Sequence, residues 1–165
     1  MNKIIALAPL CLAFATAQAH VTLDNPSAPA SANYRAVFKV GHGCGTSPTR
    51  QLIVDIPASI PSARPMLKPG WRIDVDKTGD KVTRVTWTAR TPEDKVPDGF
   101  YDEFVLMART PSEPGTVYWP VVQVCDEGRG NWVDVPGPGQ RLSDLKSPAA
   151  PLEITPAISA PAHRH

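Results

Sequence analysis

Past Ala19 the chain has no hydrophobic run approaching the roughly 20 apolar residues that a membrane-spanning helix requires, so a second anchor is not expected. It has no block of like charge either: setting Lys3 aside leaves as many basic residues as the 16 acidic ones. With no basic stretch, nucleic acid and anionic membrane are poor choices for the main partner. No segment keeps an apolar period of 3.6 for three turns, which argues against long helices. The sequence contains no G-x-S-x-G, no Gly-rich phosphate loop and no H-E-x-x-H, so the common hydrolase and metalloprotease signatures are absent. Methionine is scarce: besides Met1 there are only Met66 and Met107, far apart, and no Met-rich motif suited to Cu(I).

What is present begins with a leader. Lys3 supplies one early positive charge, Ile4 to Thr16 form an apolar run, and Ala17-Gln18-Ala19 places small residues before His20. This is the pattern of a secretory signal peptide over residues 1–19, cleaved between Ala19 and His20, and it predicts a periplasmic or secreted protein. Cys11 follows Leu10 where a lipoprotein would need a small residue, so lipidation is not expected.

Proline is abundant, at 19 residues, and it punctuates short runs of β-branched and aromatic residues. Residues 34–40 alternate Tyr34, Ala36, Phe38 and Val40 on one face; residues 50–56 do the same with Leu52, Val54 and Ile56. Similar patterns occupy 81–89, where Val85, Trp87 and Ala89 face inward, and 100–108, where Phe100, Phe104, Leu106 and Ala108 do. Residues 116–124 are apolar on both faces, as in a central strand, with Pro120 breaking the ladder. Short strands are also expected near residues 20–23, at 72–75 and at 132–135, and Lys77-Thr78-Gly79-Asp80 reads as a hairpin loop. Seven to nine such strands predict an all-β fold, an antiparallel β-sandwich of immunoglobulin or cupredoxin type with little helix, over residues 20–156. Residues 157–165 read as a disordered tail, in which His163 and His165 form at most a loose metal-binding pair.

Without Cys11, two cysteines remain, Cys44 and Cys125. In an exported protein such a pair is usually a disulfide. The alternative is a thiolate copper site, with His42 two residues before Cys44.

Cleavage before His20 would give one residue two nitrogen donors, the free α-amine and imidazole Nδ1, able to chelate a metal in a six-membered ring. Nitrogen donors in a plane suit Cu(II), which heads the divalent affinity series. Signal peptidase tolerates many residues after its cut, however, so a histidine there carries no meaning alone.

The meaning comes from a resemblance. Residues 19–23 (AHVTL), 42–57 (HGCGTSPTRQLIVDIP), 69–73 (PGWRI), 82–89 (VTRVTWTA) and 119–137 (WPVVQVCDEGRGNWVDVPG) resemble the YcnI family of exported copper-binding proteins, in order along most of residues 20–137. The resemblance implies a β-sandwich holding one Cu(II) on the N-terminal histidine, an arrangement called a monohistidine brace. In that arrangement an acidic side chain and a late-strand tryptophan complete the site. His20 matches the brace histidine and Trp132 the tryptophan. The acidic position is not matched: Asn33 and Tyr34 stand where relatives carry a glutamate, so Tyr34 is taken as metal-proximal and His42 as the replacement ligand. His42 could instead cap a turn or pack beside the disulfide, and Trp71, Trp87 and Trp119 are expected to pack in the core.

The function so implied is storage or delivery of Cu(II) in the periplasm or cell envelope, with other copper-handling envelope proteins as partners and no catalysis. A copper-dependent oxidase using His42 as a second histidine is the enzymatic alternative. A structural envelope domain without metal is the third reading.

Overall fold

The computed structural model describes residues 20–158, which form twelve short strands and two single-turn 3-10 helices. The leader 1–19 lies outside the described residues, as do 159–165 of the expected tail; Ala157 and Ile158 carry no regular structure. Among the described residues no helix is long and apolar enough to cross a membrane.

Tyr34, Ala36, Phe38 and Val40 are all buried on strand β3 (Asn33–Val40), as their alternation predicts. On one side β3 pairs with the short β1 (Thr22–Leu23), on the other with β8 (Asp102–Arg109), and β5 (Ser62–Pro65) completes this four-stranded sheet. The facing sheet has five strands. At its centre β4 (Thr49–Asp55) lies between β7 (Lys81–Ala89) and β10 (Val121–Cys125), flanked at the edges by β6 (Trp71–Thr78) and β11 (Arg129–Trp132). A third sheet of β2 (Ser27–Pro29), β12 (Ala150–Thr155) and β9 (Gly115–Trp119) includes one parallel pair, β2 with β12, amid otherwise antiparallel ladders.

Leu52, Val54, Val85 and Trp87 of one sheet meet Phe38, Phe104 and Leu106 of the other, all fully buried. Their aromatic rings meet edge to face, Trp71 on Phe104 at 4.9 Å, Trp87 on Phe104 at 5.8 Å and Phe38 on Trp119 at 5.6 Å, the geometry the ring quadrupole favours. Trp71, Trp87 and Trp119 are therefore core residues, as expected. The loop at 79–80 does join a hairpin, between β6 and β7.

Three details differ from what the sequence predicts. Pro120 does more than interrupt a ladder, because β9 pairs with β12 and β10 with β4 and β11. The chain changes sheets at this proline, and Val117, Trp119, Val121 and Gln123 stay buried on either side of it. Phe100 is 64% exposed rather than inward, since β8 begins only at Asp102. Trp132 ends its strand instead of opening it. Residues 150–155 form β12, which contributes buried Ala150, Leu152 and Ile154 to the core, inside the span expected to fold.

Candidate metal centre

Strand register brings the site together. Thr22 pairs with Lys39 and Leu23 with Phe38, so continuing the register sets His20 level with Gly41, beside His42. Val21 is buried and His20 exposed, which leaves the imidazole at the rim of the sandwich. From the other sheet, Trp132 at the end of β11 brings its indole to 4.7 Å from the His20 ring, tilted by 36°. His20 and Trp132, which lie 112 positions apart in the chain, thus meet ring against ring.

Trp132 lies over its own strand. A Cβ added at Gly130 would fall 3.0 Å from its Cζ2 and 3.1 Å from its Nε1, closer than ordinary van der Waals contact. Glycine at 130 is what lets the indole lie there. The Trp132 Nε1–H is buried and has no acceptor among the described residues.

Trp132 and His42 line the same pocket, of about 310 Å³, together with Cys44, Gln123, Glu127 and Gly128. The loop carrying His42 is held at several points. Gln123, almost fully buried, donates from Nε2 to the His42 carbonyl at 2.8 Å and to Thr49 Oγ1 at 2.7 Å. Asp98 Oδ1 accepts from the Gly43 amide at 3.1 Å. Gly43 packs so tightly on Ser47 that a Cβ would fall 2.0 Å from its carbonyl oxygen. The His42 side chain is oriented too: Nδ1 lies 2.7 Å from the Gly43 carbonyl. A carbonyl only accepts, so Nδ1 carries the proton and Nε2 of the neutral ring keeps its lone pair. Metal-binding histidines are commonly held in this way by a carbonyl behind the ring.

Cys44 and Cys125 form a disulfide with Cα atoms 5.9 Å apart. In this oxidised state neither sulfur is a thiolate ligand, and the bridge ties the His42 loop to the end of β10. Tyr34 is not brought to this site. It sits at the far end of β3, six residues from Val40 and hence about 20 Å along the strand. There it is buried and its hydroxyl donates to the Asn25 carbonyl at 2.5 Å. Burial first, and then the charge of Asp24, push that hydroxyl up to about 12.

Gln123 and Glu127 were not singled out from the sequence. Glu127 is the carboxylate lining the pocket, on the turn between β10 and β11; its amide is bound by Ser47 Oγ at 2.8 Å. The only sequence signal was their place in residues 119–137. Among the described residues no three His, Cys, Asp or Glu side chains group closely enough to hold a metal by themselves.

Residues 20–154 match the protein family described as a domain of unknown function, DUF1775. Copper-binding protein CutI of Bacillus subtilis (strain 168) is 24% identical over 114 residues, covering 69% of this chain and 54% of its own length. The chain thus spans about half of that relative. A solved structure from Nocardia farcinica, an uncharacterised protein described as having an immunoglobulin-like fold, superposes with a TM-score of 0.69 at 29% identity over 83% of this chain and 99% of that one. The chain is an immunoglobulin-like β-sandwich, and it belongs to the DUF1775 family, the YcnI family that its motifs resemble.

Proposed function

We propose that this protein, exported and cleaved between Ala19 and His20, binds one Cu(II) through the α-amine and imidazole of His20, and that it stores copper or hands it to other copper-handling proteins of the periplasm or cell envelope. The observation that carries this reading is the His20 ring packed at a tilt against Trp132, beside the pocket that His42 lines. The donors suit the metal: one amine and two imidazoles are borderline nitrogen ligands that favour Cu(II) over hard cations. The α-amine of His20 exists as a primary amine only after cleavage, so the chelate depends on export. The family match beginning at residue 20 and the copper-binding relative support the same reading.

Trp132 takes the role of a lid. Its indole covers one face of the His20 ring, limiting water there and offering its π face to the cation. His42, with Nδ1 tied to the Gly43 carbonyl, supplies Nε2 where the family resemblance implies a carboxylate. The function is binding, not catalysis.

The test is a Cu(II) titration of the mature protein followed by EPR. One equivalent should bind with a nitrogen-rich axial spectrum. A form beginning Gly-His20 keeps every side chain but turns the histidine nitrogen into an amide, and it should bind more weakly with a changed spectrum. Unchanged affinity and an identical spectrum would rule out the brace. His42→Ala should weaken binding if Nε2 is a ligand; equal affinity returns His42 to a structural role.

A further inference from the structure

Reading across the strands gathers three arginines that are scattered along the chain. On the outer face of the β1-β3-β8-β5 sheet, Met107 lies between Arg35 of β3 and Arg64 of β5 in direct register; one pair further along, Arg109 lies between Asn33 and Ser62. All three arginines are exposed. Toward the His20 end of the same sheet the cations are matched, Lys39 with Asp24 at 3.5 Å and Lys68 with Asp102 at 2.7 Å. The ion pairs among the described residues include none to Arg35, Arg64 or Arg109. Like charges on neighbouring strands cost stability, and here no carboxylate offsets them.

Between these strands runs a groove of about 340 Å³ lined by Asn33, Ser62, Arg64, Met107 and Arg109. Its polar side chains are two guanidinium forks, an amide and a hydroxyl, each able to donate to an oxyanion. We propose that this groove binds an oxyanion of the phosphate class, presented by a soluble phosphate ester or by the headgroup of an anionic lipid. A tetrahedral phosphate exposes acceptor oxygens in several directions, so forks from β5 and β8 can engage it together with Asn33 and Ser62. A planar carboxylate has oxygens for one fork. Arg35, on the far side of Met107, adds a third positive charge. The groove lies at the opposite end of β3 from Val40, so an anion held there leaves the His20 end open.

The experiment uses the mature protein and two probes. Inorganic phosphate and glycerol phosphate are titrated calorimetrically, and vesicles of phosphatidylcholine with and without phosphatidylglycerol are co-sedimented at low and high salt. Binding in at least one arm, weakened by salt, is expected. The double variant Arg64→Ser/Arg109→Ser loses two charge-assisted anchors and should bind at least about tenfold more weakly. Lys146→Ser, an exposed charge away from the groove, should change binding less than about twofold. Binding of soluble phosphate with no preference for phosphatidylglycerol identifies a free ester; binding to phosphatidylglycerol vesicles alone identifies a lipid. No binding in either arm, or equal losses in the double variant and Lys146→Ser, overturns the proposal. Melting temperature and the Cu(II) EPR spectrum of each variant confirm that the fold is intact.

Discussion

Replacing Gln123 with leucine isolates the contribution of the bonds that hold the His42 loop. Gln123 is 2% exposed and gives its Nε2–H groups to the His42 carbonyl and Thr49 Oγ1 at 2.8 and 2.7 Å. Leucine fills a similar volume, so a cavity contributes little and the loss is polar. Each hydrogen bond is worth about 1 kcal/mol, and leaving the hydroxyl of fully buried Thr49 short of a donor costs about 1–2 kcal/mol more. The added apolar burial returns about 1 kcal/mol. The net is a destabilisation of about 2–3 kcal/mol, or roughly 5–10 °C in melting temperature for a domain of this size. Calorimetry of the mature variant measures it directly. A chelator competition then reads Cu(II) affinity, which should fall because the loop bearing His42 has lost its tether. A melting temperature within about 1 °C of the parent would refute the energetic reasoning. A destabilised variant with full copper affinity, alongside a weakened His42→Ala, would refute the claim that Gln123 positions the ligand.

Three further outcomes follow from the geometry. Gly130→Val should push the Trp132 indole off its strand, shifting tryptophan fluorescence and the Cu(II) spectrum while costing about 1–3 kcal/mol from overcrowding. Cys44→Ser/Cys125→Ser should destabilise by about 2–4 kcal/mol, read by urea unfolding, because the bridge joins residues 81 apart. Tyr34, pushed up to about 12 in the fold, ionises first in the unfolded chain, near pH 10. Its contribution to stability is therefore complete below about pH 10 and is lost as pH rises towards 12; Tyr34→Phe should remove that part of the alkaline decline in urea melts.

Local pattern carried much of the fold. Where apolar residues alternate on a strand with one wet face, as at Tyr34 to Val40, the inward set could be read directly and is buried. Strand β5 was missed because its one buried residue, Ala63, sits among Ser62, Arg64 and Pro65. The sheet change at Pro120 depends on pairings with β4, β11 and β12, which no local window contains. The site divides the same way. His20 was legible from the leader, and Trp132 from the family motif. Gln123 became meaningful only through its hydrogen bond to the His42 carbonyl. Tyr34 followed from a strand start that faces the wrong end of the sheet. The absence of a basic stretch holds along the chain, while Arg35, Arg64 and Arg109 gather only across three strands.

Both partners in the His20–Trp132 contact belong to margins. The two-residue β1 ends one sheet and the four-residue β11 ends the other, and exposed strand margins invite pairing with foreign chains. The imidazole–indole contact therefore joins the margin of one sheet to the margin of the other. A substitution at Trp132 would thus remove the ring beside His20 and, with it, a contact that ties the two sheets together at their edges.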